Sequence, residues 1–223
     1  MKLLFVASDP MEFRHLLRHC TNVHNSRASL GDHQVLLTAN GAGANRAAAA
    51  VDAAVPSFRP DAILSVGFCG ALDPELAIAD IVVGTTIFAG DRAFAAEAPV
   101  AAPPHRVAPI CSLEHVASTA AEKARLRSTG AIAVEMEAAG VAVRAQALSL
   151  PFFCIKTVTD LAGETMANDF NAALRPDGHF DTIKILRSSF RHPWVRLPEL
   201  MRFRARCVKA ARSLGDFIAD CRF

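Results

Sequence analysis

The chain has 223 residues and a mass of 23.8 kDa, enough for one sizeable domain or at most two small ones. Hydrophobic residues make up 52% and charged residues 21%, with ordinary counts of 12 Gly and 12 Pro, which supplies a full core and excludes a disordered or fibrous protein. The formal net charge of +2 hides a split: residues 1–183 hold 14 Lys+Arg against 19 Asp+Glu, whereas residues 184–223 hold 10 against 3.

In chain order, Lys2–Ala7 reads as a buried strand, too short for a signal-peptide core and closed by Asp9. No apolar run approaches the roughly 18 to 20 residues that cross a bilayer, so a cytoplasmic address is expected. Met11–Cys20 follows an Asp9-Pro10 start signal and is expected to be a helix. His33–Thr38 is a second strand ended by Asn40-Gly41. Ala44–Val55 is an alanine-rich helix that should stop before Pro56. Asp61–Val66 and Asp80–Phe88 are Ile- and Val-rich strands, and the Pro/Ala-rich stretch Ala95–Pro109 reads as a loop. Val116–Ser128 is expected to be helical, Ala131–Val134 a short strand, Glu137–Leu148 a helix and Phe152–Val158 an apolar strand. The last forty residues look mostly helical.

Strands that are apolar throughout belong in a sheet covered on both faces. The expected fold is therefore α/β: a three-layer sandwich with a mostly parallel mixed central sheet, in a single domain over residues 1–223. Chemistry in such sheets gathers at the carboxyl ends of strands. That directs attention to residues 8–12, 40–46, 67–72 and 159–164, and to the helix start at 134–137.

Cys20, Cys69, Cys111, Cys154, Cys207 and Cys221 form no C-x-x-C pair, and three sit in apolar runs, so reduced, buried thiols are expected. His15 and His19 stand at i, i+4, a spacing that could hold a metal. No third ligand is near in sequence, so solvated histidines are expected and no metal or organic cofactor is indicated. The basic tail interleaves Lys184, Arg187, Arg191, Arg196, Arg202, Arg204, Arg206, Lys209 and Arg212 with Phe190, Trp194, Leu197, Leu200 and Phe203. Such a segment can pack its apolar side on the body, lie on an anionic membrane, or bind nucleic acid. The expectation is no nucleic acid, with peripheral contact at the inner membrane face kept open.

Gly41-Ala42-Gly43 resembles the start of a dinucleotide fingerprint, but Arg46 stands where the third glycine is needed, so a tight turn is expected instead. Gly67 and Gly70 bracket Phe68-Cys69 at a strand end and let backbone amides face a bound group. Cys69 has no paired histidine and reads as a structural thiol. Glu135-Met136-Glu137 puts two carboxylates where a strand becomes a helix; either the helix dipole or a sugar diol explains them. Thr159-Asp160 ends another strand, where Asp160 caps a turn or serves as a half-buried acid whose pKa is raised by desolvation.

Taken in this order, the Gly41–Gly43 turn, Gly67–Leu72 followed by Asp80-Ile81-Val82-Val83, Val134–Ala138 and Phe153–Asp160 resemble the nucleoside phosphorylase/nucleosidase superfamily. The methylthioadenosine/S-adenosylhomocysteine nucleosidases are the nearest template, over roughly residues 1–165. The resemblance implies that Glu137 binds the ribose 2′-hydroxyl while Met136 packs on the sugar, with Glu135 beside them. It implies that Asp160, held by Thr159, protonates or hydrogen-bonds purine N7, and that Glu12 orients or deprotonates the attacking water. Phe68, Cys69 and Gly70 join the substrate-binding set, and Val116 and Ala117 fall at the base-stacking position. The phosphorylases' hydroxyl and arginine positions hold Phe68 and Ser65, and their phosphate turn keeps only Asp9-Pro10, which favours water over phosphate unless Arg14 or Arg46 intervenes. The C-terminal portion resembles the hopanoid-associated phosphorylase branch. The resemblance thus implies hydrolysis of the N-glycosidic bond of a purine nucleoside, adenine-bearing with a 5′ modification or lipid such as adenosylhopane. The alternatives are a phosphate-dependent phosphorylase or a nucleoside-binding protein without turnover. A homo-oligomer is also implied, with a dimer expected.

Overall fold

The computed structural model describes residues 1–190 and 192–223; Arg191 of the basic tail lies outside the described residues. Ten strands form one sheet: β1 (Lys2–Ala7), β2 (Thr21–His24), β3 (Arg27–Leu30), β4 (His33–Ala39), β5 (Ala62–Ala71), β6 (Ile81–Ala89), β7 (Arg92–Ala95), β8 (Arg106–Ser112), β9 (Ala133–Glu135) and β10 (Phe152–Asp160). Between and after them run α1 (Ala44–Phe58), α2 (Ala120–Arg127), α3 (Ala138–Ala147), α4 (Phe170–Ala173), α5 (Thr182–Ser189) and α6 (Pro193–Ala219).

The central strands are buried along nearly their whole length, Lys2 of β1 and Phe68 of β5 excepted, as their apolar sequences require. Alternate residues feed two cores. Leu4, Val6 and Ile63 pack with α1 and α3 on one face, while Leu3, Phe5 and Leu64 pack with Leu214, Phe217 and Ile218 of α6 on the other. This is the expected α/β architecture with helices on both faces. The parallel neighbours β4, β1, β5 and β10 are joined by antiparallel pairings of β6 to β10 and of β9 to β5. Because β6 also pairs with β8, and β8 with β9, the sheet closes on itself around β5, β10, β6, β8 and β9.

Several expected boundaries shift, each for a visible reason. The expected helix over Met11–Cys20 is two 3₁₀ turns, Pro10–Phe13 and Leu16–Arg18. Glu12 folds back to cap the first, and a Cβ at Gly215 of α6 would stand 2.5 Å from the Leu16 nitrogen, so this segment lies backbone to backbone against α6. α1 continues through Pro56 to the buried Phe58, whose packing holds the last turn despite the missing donor. Residues 106–109, expected in a loop, begin β8, and the next helix starts only at Ala120, after Thr119 caps it by accepting the Glu122 N–H. The β2–β3 hairpin was not expected. Its two-residue turn, Asn25-Ser26, has φ of 45° and 63°, the left-handed pair that matches the twist of such hairpins.

Candidate active site

The carboxyl ends of β5, β9 and β10 converge at one residue. Gly70 of β5 pairs with Val134 of β9 on one side and Asp160 of β10 on the other, and a register shift at the end of β10 re-aims Asp160. Around this point lies a cavity of about 330 Å³, and all eleven residues singled out from the sequence border it: Glu12, Phe68, Cys69, Gly70, Val116, Ala117, Glu135, Met136, Glu137, Thr159 and Asp160. A larger hollow of about 520 Å³ at Ala93–Glu97 and residues 149–152 has Glu97 as its sole titratable side chain, with Gln146 and Ser149 as its other polar ones.

The two glycines of Gly67-Phe68-Cys69-Gly70 seat two acids. A Cβ on Gly67 would meet Glu12 Oε1 at 2.5 Å, and one on Gly70 would meet Asp160 Oδ2 at 2.7 Å. Gly67 also holds φ at +134°, outside the range of other residues. Bare backbone is therefore required at both positions for the carboxylates to reach the same cavity.

Glu12 is almost wholly enclosed by donors. Its Oε2 accepts from Ser8 N–H at 2.9 Å, Asp9 N–H at 3.0 Å and the Ser8 hydroxyl at 3.1 Å, and its Oε1 accepts from Phe68 N–H at 2.9 Å. Burial raises its pKa, against the lowering effect of Lys156 and those N–H groups. Oε1, with one donor, keeps a lone pair for a bound group. The result is a fixed, half-committed carboxylate suited to accept a proton.

Glu135 and Glu137 separate into two roles. Glu135 Oε2 accepts from the N–H groups of Glu137 at 2.9 Å and Ala138 at 2.8 Å and pairs with Lys156 Nζ at 2.8 Å. Both side chains of that pair are 0% exposed. It caps the start of α3, so the dipole explanation describes its contacts. Glu137 Oε1 accepts Gly43 N–H at 3.1 Å, and its Oε2 stands 3.8 Å from Lys156 Nζ. Burial, reinforced by Glu135 and Glu12 and opposed by Lys156, pushes Glu137 up to about 7. The lysine is itself pushed down by burial and more strongly up by the two glutamates, so it stays charged.

Asp160 Oδ2 accepts from Lys123 Nζ, and its Oδ1 lies 3.1 Å from the Thr159 hydroxyl. Lys123 is 1% exposed and also donates to the Leu161 carbonyl at 2.8 Å. Burial raises the Asp160 pKa more than Lys123 lowers it. Asp160 is thus a desolvated acid with a cation behind it and a cavity in front.

The remaining wall is apolar. Val116 is pinned by Asn171, whose side-chain oxygen accepts its N–H at 2.8 Å and whose amide donates to its carbonyl at 2.9 Å, so Val116-Ala117 stays outside the helix expected there. Phe170 packs edge-on against Phe180, with centroids 6.0 Å apart, and against Phe203 at 5.3 Å. Lys123, Lys156, His115, Met166, Phe170 and Phe180 were not singled out from the sequence. The aromatic spacing of the tail pointed to Phe203 alone. Burial pushes the Cys69 thiol well above its ordinary value, and no cysteine is paired, in keeping with reduced, inert thiols.

Neither arginine that could have answered a phosphate lines the cavity. Arg46 Nη2 donates to the Pro176 carbonyl at 2.6 Å, and Arg14 borders a surface hollow with His15, Arg18 and Arg212. The Gly41–Gly43 turn both packs and borders the site: Ala42 lines the cavity and its N–H donates to the Gly178 carbonyl at 2.8 Å, Gly41 abuts Asp177 and Gly178, and Gly43 N–H holds Glu137.

The sequence model of the phosphorylase superfamily matches residues 3–108 and 91–177. Among curated proteins, the 5′-methylthioadenosine/S-adenosylhomocysteine nucleosidase of Staphylococcus saprophyticus is 28% identical over 177 residues, covering 66% of this chain and 78% of its own. The Streptococcus pyogenes S-adenosylhomocysteine nucleosidase, solved with 5-methylthiotubericidin, superposes with a TM-score of 0.73 at 17% identity over 99% of this chain and 95% of its own. Futalosine hydrolase of Helicobacter pylori superposes with a TM-score of 0.69 at 15% identity, covering 98% and 95%. With most of its length matched by the family model, the chain belongs to the phosphorylase superfamily.

Proposed function

We propose that this protein is a purine nucleoside N-glycosidase that releases adenine from a 5′-modified nucleoside by attack of water. The observation that carries this reading is the meeting of Glu12, Glu137 and Asp160 in one cavity with no arginine or lysine on its lining among the described residues. The curated relatives matched are named as nucleosidases, which supports the same reaction class.

Breaking an N-glycosidic bond builds positive charge on the ribose and negative charge on the departing base. Groups that are better matched to those charges than to the neutral substrate accelerate the step. In this reading Glu137 accepts the ribose hydroxyls, and Met136 covers the sugar. Asp160 gives N7 a proton, and Lys123 steadies the carboxylate that results. Glu12 takes a proton from the water that captures the ribosyl cation. Acid or base help of this kind is typically worth about 10² to 10⁴ per group. A phosphate dianion would instead need several charged donors on the lining. Arg202 and Arg206 border only an adjoining hollow, where Arg206 is held by Glu164 at 2.7 and 2.9 Å.

The finer reading concerns the 5′ group. Met11, Met166, Phe170, Phe180 and Phe203 give the cavity an apolar wall that suits a hydrocarbon substituent. Nearby, α5 and the first turns of α6 leave Ile183, Leu186, Phe190, Trp194 and Met201 exposed, Trp194 at 91%, among basic residues. This combination supports a lipid-linked nucleoside such as adenosylhopane, met at an anionic membrane surface. Among the described residues, no helix is long and apolar enough to cross a membrane. Turnover in oxygen-18 water tests the reaction: label in the ribose product, with no requirement for phosphate, is expected. Ribose 1-phosphate formed only when phosphate is present would make the enzyme a phosphorylase. Wild-type binding to anionic vesicles that persists in Trp194→Ser/Met201→Ser would remove the membrane reading and leave the reaction untouched.

A further inference from the structure

His15 and His19, set aside for want of a third ligand, acquire one through the fold. His15 Nε2 lies 2.9 Å and His19 Nε2 2.8 Å from the same atom, Asp216 Oδ1 of α6, some two hundred residues away in the chain. The two rings stand 68° apart with centroids separated by 5.5 Å, so each directs the same nitrogen at one point. Among the described residues these three form the one group of His, Cys, Asp or Glu side chains with donor atoms close enough to share an ion, all within 4.8 Å.

The placement is held by backbone. Gly215, next to Asp216, sits where a Cβ would strike the Leu16 nitrogen at 2.5 Å and the His15 carbonyl carbon at 2.8 Å. The helix can approach the 3₁₀ segment this closely only because that residue is glycine, and the approach sets Asp216 between the two imidazoles. Ligand bonds of about 2.0 to 2.1 Å meeting at tetrahedral angles span roughly 3.3 Å between donor atoms, so the hydrogen-bonded separations of 2.9 and 2.8 Å need open by only a few tenths of an ångström to admit an ion.

We propose that His15, His19 and Asp216 form a divalent transition-metal site, best suited to Zn²⁺, that ties the N-terminal 3₁₀ segment to α6. Two imidazoles and one carboxylate are the donors that suit zinc and its neighbours, whereas Mg²⁺ and Ca²⁺ take oxygen. Arg14, Arg18 and Arg212 border the adjoining hollow and raise the local positive potential. They oppose any cation, so an ion here must be held by its three ligands and not by the surrounding field. None of the three residues lines the cavity, so the role is structural: α6 brings Phe203 and Cys207 to the cavity wall, and a metal clamp near its other end fixes that wall.

The experiment uses the full chain without a polyhistidine tag, stripped with a chelator and titrated with Zn²⁺ against a chromophoric competitor. One Zn²⁺ per chain with a micromolar or tighter Kd is expected, together with a rise in the thermal unfolding midpoint. His19→Gln and Asp216→Asn should each weaken binding at least tenfold, while Cys20→Ser should not change it. Binding that never saturates, or that keeps wild-type affinity in His19→Gln and Asp216→Asn, overturns the proposal. His19→Gln alone suffices should the Asp216 variant fail to fold, because His19 is partly exposed and outside the cavity. Adenine release is read separately, so loss of either proposal leaves the other standing.

Discussion

Two buried lysine–carboxylate pairs stand behind the same cavity and differ in what they leave free. Lys156 and Glu135 are sealed at 0% exposure, and the one contacted oxygen of Glu135 is shared among Lys156 and two N–H groups of α3. Lys123 is sealed as well, and both carboxylates border the cavity, but the Asp160 side chain is 10% exposed and keeps an edge toward any bound group. A carboxylate whose contacted oxygen is spent on a lysine and a helix start holds structure, whereas one with a cation at its back and an exposed edge in front can exchange a proton. The comparison teaches that burial and ion pairing alone do not mark a catalytic acid; the open face does.

The sharpest way to break that contrast is to remove each lysine. Lys156→Met leaves Glu135 and Glu137 as uncompensated buried charges, and breaking such a pair typically costs about 3 to 5 kcal/mol. A denaturant midpoint within error of wild type would show that the Lys156 cluster is not the structural one. Lys123→Met should cost less stability, because Asp160 can take a proton and meet water in the cavity. Its larger signature is kinetic: the rate falls roughly tenfold as the acid weakens, by the reasoning of general acid catalysis. Lys123 lowers the Asp160 pKa, so its removal raises that pKa further, and the alkaline limb of the pH–rate profile moves to higher pH. A limb that stays in place would separate Lys123 from the acid.

A smaller effect tests the sugar end. Glu137 titrates near 7 in the folded chain against an ordinary 4.5, so the unfolded chain sheds its proton first. Its contribution to stability is therefore full below 4.5 and is lost as pH rises through about 7, and Glu137→Gln should flatten that slope in unfolding experiments. Substrate binding runs the other way, since the ionised carboxylate is the better acceptor for two hydroxyls: KM should fall as pH rises through the same window. KM that is flat across that window would detach Glu137 from the diol.

How much of this was legible in the sequence follows from the range of each interaction. The acids were readable because each stands at a strand's carboxyl end or a helix start, positions marked by local apolar runs and glycines. The seating of Glu12 on Gly67 and Asp160 on Gly70 was not, since both contacts cross between segments. Lys123 lies inside the expected helix Val116–Ser128 with no local mark of its role, and only the fold turns it inward toward Asp160. Lys156 interrupts an apolar strand and offered the one visible hint of a buried charge. The aromatic wall of Phe170, Phe180 and Phe203 comes from segments brought together by α4 to α6, with no shared motif. The 3₁₀ turns at Pro10–Arg18 replaced an expected helix because tertiary contacts with Phe68 and Gly215 outweighed local propensity.

The most direct measurement is adenine release by Asp160→Asn, assayed without phosphate on adenosine, methylthioadenosine and an alkyl-extended adenosine, with the fold checked by circular dichroism. The account predicts a loss of at least about 10² in turnover of every substrate the wild type cleaves, with the fold unchanged. Wild-type rates in that variant would contradict it, because the departing base would then need no acid at the end of β10.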